Sequence, residues 1–161
     1  MALSKITNDG VATSGLPAGS VVQVVTATTE TEVDLTSSTS LADTGESISI
    51  TPTSSSNKVL IRMAVHWICS GNASGGRFGI YRSIGGGSDT QIEVQELDYA
   101  NYFRPGGTGT MQFRSYSIIE FLDSPATTSS IEYKLYGDQH SGTFKINNGG
   151  TTYFSATEVA Q

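Results

Sequence analysis

The stretch Lys58–Cys69, KVLIRMAVHWIC, constrains the fold more than any other part of the chain. Val59, Ile61, Met63, Val65 and Trp67 fall on one side of a two-residue repeat, and Leu60, Arg62, Ala64, His66 and Ile68 fall on the other. Side chains alternate across a strand with this period, so the run reads as a β-strand. Ser- and Gly-rich segments bound the run at strand length. It is also too short to cross a bilayer, which takes about 20 apolar residues. No membrane insertion is expected.

The same alternation recurs elsewhere. VVQVVTA from Val21, Glu32–Leu35, Ser47–Thr51, Arg77–Arg82, Thr90–Leu97, Thr110–Leu122 and the Ile131–Tyr136 segment all read as strands. Turn chemistry separates them: Asp43-Thr44-Gly45, Gly71–Gly76, Gly85-Gly86-Gly87-Ser88-Asp89 and Gly137–Ser141. Asn148-Gly149-Gly150 joins Ser141–Asn147 to Thr151–Val159 as an expected hairpin, because these residues tolerate positive φ. In Thr110–Leu122, Met111 and Phe113 occupy one face and Tyr116 and Ile118 the other, which predicts a bulge or two-sided burial near Ser117. No window shows a clean helical stripe. Eight or nine short strands with frequent turn signals predict an all-β fold: an antiparallel two-sheet β-sandwich, jelly-roll-like.

Residues 1–20 differ in character. They are polar, aperiodic and broken by Asn8-Asp9-Gly10 and Gly15-Leu16-Pro17-Ala18-Gly19, which predicts an extended N-terminal attachment arm or linker. Residues 21–161 form the sandwich domain. The opening MALSKITNDG has no apolar core, so it is not read as a signal peptide.

Composition narrows function. The 161 residues carry a formal net charge of −6, and the nine basic residues never cluster, which argues against a nucleic-acid partner. Cys69 is the single cysteine, so no internal disulfide forms, and its apolar surroundings read as burial. No catalytic or metal constellation stands out, and no cofactor is expected. Glu93 and Glu96 sit three positions apart and point to opposite faces of a strand, unlike a glycosidase pair. There is no G-x-S-x-G elbow. His66 reads as a packing histidine. Asp138 and His140 are two possible ligands without a third and read as an exposed loop pair. Gly85-Gly86-Gly87-Ser88 lacks the lysine of a phosphate loop. One segment does suggest recognition: Tyr99, Tyr102, Phe103 and Arg104 crowd the loop Leu97–Gly107, and aromatics beside arginine are what binding surfaces use. A plug at the domain end or a subunit interface would use the same residues.

The opening MALSKITNDGVATSGLPAGSVVQVV resembles the start of small bacteriophage virion proteins of the marine and cyanophage type. LADTGESISITPTSSSNKVLI, FLDSPATTSSIEYKL and INNGGTTYFSATEVA fit the same group in order and spacing. The region Ile68–Gly109 has no counterpart in that resemblance. The resemblance implies a non-enzymatic virion structural protein, assembled in the host cytoplasm and located in the virion. It implies a tail-fibre-like homotrimer, held to other virion proteins through the arm and presenting its domain to a host-surface glycan or protein. The alternative is a capsid decoration or cement protein stabilising the head shell, and the lack of a repetitive shaft points to that reading or to a short adaptor-borne fibre. A trimer also suits a strand such as Val59–Cys69, which has apolar residues on both faces, since a neighbouring copy can cover the second face.

Overall fold

The computed structural model describes residues 16–36, 40–95, 101–103 and 111–161. Among them there is no helix, and nine strands form one continuous antiparallel sheet. They are β1 (Val21–Thr29), β2 (Val33–Leu35), β3 (Ala42–Ile50), β4 (Lys58–Ile84), β5 (Thr90–Val94), β6 (Asn101–Phe103), β7 (Met111–Asp123), β8 (Ile131–Ile146) and β9 (Thr152–Val159). The all-β expectation is met. Most of the arm, residues 1–15, lies outside the described residues.

The spine of the molecule is β4. Its 27 residues would span roughly 90 Å if straight, at about 3.3 Å per residue. It does not run straight. Asp123 is the ladder partner of Val59 near the start of β4, and its carboxylate accepts two hydrogen bonds from Arg82 Nη1 near the end, at 2.7 and 2.8 Å. The strand is therefore doubled back on itself. The turning region is Ser70–Gly76, where the ladder to β8 slips twice. Gly71 takes φ +121°, a value that L side chains rarely adopt.

An irregularity of this kind shifts the alternation. Before it, the odd residues Val59, Ile61, Met63, Val65 and Cys69 are buried; after it, the even residues Phe78 and Ile80 are. Both sets enter one core, joined by Ile131, Tyr133 and Leu135 from β8 and by Phe154 and Ala156 from β9. Phe144 touches both halves, with ring centroids 5.5 Å from Trp67 and 5.5 Å from Phe78. Fully burying an aliphatic or Phe side chain contributes about 1.5–3 kcal/mol, so this shared core holds the doubled strand closed.

Several sequence expectations are corrected by this arrangement. Gly71–Gly76 is not a loop, because β4 runs through it. The same holds for Gly137–Ser141, which lies inside β8. Ladder partners from β6 and β8 on β4, and from β4 on β8, override the local turn chemistry. Asp43-Thr44-Gly45 is a register shift within β3, where Asp43 Oδ1 accepts from Gly45 N at 2.8 Å. No bulge occurs at Ser117, since β7 keeps unbroken register with β4 from Met111 to Asp123.

The expected hairpin at Asn148-Gly149-Gly150 does not form. β8 and β9 run in the same direction, end to end, along one side of β4, with Ile146 opposite Trp67 and Tyr153 opposite Ala64. Asn147 (φ +58°) and Gly149 (φ +72°) make a local excursion between them. A side chain at Gly150 would meet the His66 ring at 2.4 Å, which fixes glycine there. On the other side of β4, β5, β6 and β7 likewise follow one another end to end, after the expected β4–β5 hairpin across Gly85–Asp89.

A buried carboxylate closes the end where the chain enters. Glu158 is fully buried, and it accepts from Asn57 Nδ2 and Thr53 N at 2.7 Å, Thr53 Oγ1 at 2.9 Å and Gln23 Nε2 at 2.6 Å. Burial alone would push its pKa up, but these donors outweigh burial and hold it below the usual carboxylate range. A depressed folded-state pKa contributes stability that is present above the unfolded value, about 4.3, and is lost as pH falls through the folded value. Thermal unfolding midpoints should therefore drop on acidification below about pH 4.3. The Glu158→Gln variant, weaker at neutral pH by about 1–3 kcal/mol because it loses acceptor capacity, should show a flatter acid limb. Equal slopes in the two proteins would rule out this assignment.

Candidate interaction surface

Of the four residues singled out as a recognition loop, Tyr99 and Arg104 lie outside the described residues. Tyr102 and Phe103 lie on β6, where their backbones pair with Gly75 and Ser74 in the turning region of β4. What holds this segment in place is a residue that the sequence reading passed over. Asn101 is 3% exposed, and its Nδ2 donates to Gly76 O at 3.2 Å and to Gln95 Oε1 at 2.8 Å. Its Oδ1 accepts from Ser117 Oγ, which in turn accepts from Trp67 Nε1 at 2.8 Å. Gln95 is fixed as well, with Phe78 N donating to its Oε1 and its own N donating to Phe78 O, both at 3.0 Å. Asn101–Phe103 is thus held against the turning region of β4, at the distal end of the domain. The opposite end is where Gly19 N donates to Ala160 O at 2.8 Å.

The residues weighed for chemistry do not converge. Glu93 is half-buried and its Oε1 accepts from Val94 N at 3.1 Å; Glu96 lies outside the described residues. His66 is buried against Tyr116, ring centroids 5.1 Å apart, and both burial and the nearby Arg114 charge lower its pKa. It is a packing histidine held neutral. Asp138 and His140 are not an exposed loop pair. Both lie within β8, Asp138 is buried and its Oδ2 accepts from Arg77 Nε at 2.9 Å, and only His140 is exposed. Asp138 is the ladder partner of Arg77 on β4, and the ladder places the two side chains on one face, where they pair. Cys69 is fully buried, which pushes its thiol pKa up and leaves it unreactive. Among the described residues, no group of three or more His, Cys, Asp or Glu side chains could hold a metal ion.

The surface feature that stands out is the outer face of β1, β9, β7 and the first half of β4. Ladder register builds it row by row. Val24, Thr157, Leu60 and Leu122 form one row; Thr26, Ser155, Arg62 and Glu120 the next; Thr28, Tyr153, Ala64 and Ile118 the third. Tyr116 continues the apolar side opposite His66. Val24 and Ile118 are each 56% exposed, Tyr153 51% and Leu122 49%. Large apolar side chains contiguous on one sheet face are the mark of an interaction site, whereas scattered ones need no explanation. Between the apolar rows, Arg62 Nε lies 3.8 Å from Glu120 Oε2, and a depression of about 400 Å³ opens beside Arg62 and Tyr153. The sequence signal for this face is the apolar content of both parities in Val59–Cys69 and Phe113–Leu122.

No family model matches this chain, and no curated protein matches it.

Proposed function

We propose that this chain is a non-enzymatic structural protein of a bacteriophage virion, a homotrimeric tail-fibre-like module. Residues 1–20 attach it to other virion proteins, and a two-layer, jelly-roll-like β-sandwich is presented for host-surface binding. The two-layer reading is supported by β4, whose halves fold back through Asp123 and Arg82 onto one core.

The observation that carries the functional reading is the polarity of the domain. Chain entry is zipped to the C-terminal residues, with Gly19 N donating to Ala160 O and Ala160 N to Ser20 O. The aromatic segment departs from β4 at Ser74–Gly76, some 50 Å further along the strand from Lys58 at about 3.3 Å per residue. An attachment point at one end and, at the other, the β6 strand whose sequence carries Tyr102 and Phe103 suit a module that is held by one partner and touches a second.

Immunogold labelling of intact phage particles with antibody to the full chain tests this reading. Label on tail structures is the expected result. Label on the head would replace it with the decoration reading, and particles free of the protein would overturn a virion role altogether.

A further inference from the structure

We propose that the outer face of β1, β9, β7 and the first half of β4 is the surface on which copies of this chain dock on one another, each copy turning the same face toward a common axis. This deepens the trimer reading above and rests on it, by assigning the contact to a particular face.

Three observations identify a second copy as the occupant. The first is charge. The chain carries −6 overall, yet the three rows of this face hold one positive and one negative side chain, Arg62 and Glu120, and sum to zero. The molecule's acidic excess lies elsewhere. Glu30 and Glu32 precede β2 and Asp34 lies on it, and Asp43, Asp89 and Glu132 surround Lys134 on β8. Two identical acidic proteins repel wherever those surfaces meet, and like charges brought together at an interface cost several kcal/mol. The neutral face is where self-contact avoids that penalty.

The second is complementarity. Arg62 and Glu120 sit side by side on adjacent strands, each about half exposed, at a loose 3.8 Å. Neither is saturated by the other. When the same face of another copy approaches, Arg62 of one can meet Glu120 of the next while the apolar rows on either side close together. In a closed ring each copy offers Arg62 to one neighbour and Glu120 to the other, so the face must carry both signs.

The third is size. Four strands about 4.8 Å apart, with side chains over seven or so residues at about 3.3 Å each, give roughly 440 Å² in projection. Accessible area on a studded sheet exceeds projected area. The face is therefore of the order that one partner contributes to a specific interface, roughly 600–800 Å². The polar middle row with apolar flanks also argues against a lipid surface, which would favour an unbroken apolar face.

Charge reversal tests the assignment. Arg62→Glu makes the face doubly negative, and Glu120→Arg makes it doubly positive. Each variant alone should associate at least about tenfold more weakly than the unaltered protein in sedimentation velocity. Both sites are exposed, so circular dichroism and thermal midpoint should stay close to the parent. Mixed in equal amounts, the two variants should co-assemble more strongly than either does alone, because two of the three contacts in a mixed trimer then join opposite charges; the third still joins like charges, so recovery toward the parent is partial. Full-strength self-association of both single variants would place the contact elsewhere and overturn the assignment while leaving the trimer reading intact. A parent protein that sediments as one 17.0 kDa chain at about 100 µM would overturn both. Variants that stay apart on mixing would show that the face meets something other than a copy of itself.

Discussion

Asp123→Ala is expected to destabilise the protein by about 3–5 kcal/mol, lowering the thermal midpoint by about 10–15 °C, without altering any exposed surface. Asp123 is 4% exposed and receives Arg82 Nη1 at 2.7 and 2.8 Å and the Tyr133 hydroxyl at 2.8 Å. Tyr133 is itself fully buried, and burial together with the Asp123 charge drives its pKa far up, so it remains a donor at every accessible pH. Removing the carboxylate strands a guanidinium whose side chain is 21% exposed and a buried hydroxyl with no acceptor. The cost of breaking such a group exceeds its net worth, because the orphaned partners stay behind. The double variant Asp123→Leu/Arg82→Met, which leaves no unpaired charge, should therefore recover much of the loss. Denaturant melts of the single and double variants measure this. A single variant within about 0.5 kcal/mol of the parent would mean that Asp123 does not hold the ends of β4 together.

Gly76→Ala should be nearly as damaging, at about 3 kcal/mol, the top of the usual range for overpacking. The added methyl would lie 2.1 Å from Asp138 O and 2.5 Å from Phe144 Cδ1. The nearer obstacle is backbone in the middle of β8 and cannot rotate away, while Phe144 is wedged between Trp67 and Phe78. Relief requires separating β4 from β8 at the turning region, which also pulls Gly76 O from Asn101 Nδ2. A drop of about 10 °C in thermal midpoint is the expected readout. Gly85→Ala, at an open turn where a methyl meets nothing within 4 Å, is the useful contrast, since its cost comes from backbone φ alone. Equal effects at the two glycines would argue that β4 and β8 do not approach this closely.

Strand existence was legible wherever hydrophobic alternation was clean, as in Val59–Trp67 and Ile131–Leu135. Strand continuity was not. Gly75 and Gly76 are turn residues by every local criterion, yet they lie within β4 because β6 and β8 supply ladder partners on either side. Glycine at 76 answers to the backbone of β8 rather than to a turn. The Asn147–Gly150 stretch has the positive φ values that a hairpin needs, and the same values serve an excursion between two collinear strands. Only the His66 ring, seated under Gly150, distinguishes the two, and that contact is tertiary. The aromatic segment could be picked out by composition, whereas its anchor Asn101 could not, since an asparagine with partners on β4, β7 and Gln95 looks like any loop asparagine in one dimension. The outer face was foreshadowed by apolar residues of both parities, but its assembly into rows depends on register across four strands.

The zipper between Gly19, Ser20 and Ala160 has a mechanical corollary. β1 and β9 are antiparallel neighbours whose chain ends leave together, with Val21 opposite Val159 at one extremity and Thr29 opposite Thr152 at the other. Tension applied between the two termini would load one rung at a time, and the pair would peel apart at low force. Tension between the N-terminus and the distal end of the domain runs parallel to the strands and loads every rung of the ladder at once, in shear. A module anchored at residue 20 and gripped at its distal end would be pulled along its strong direction.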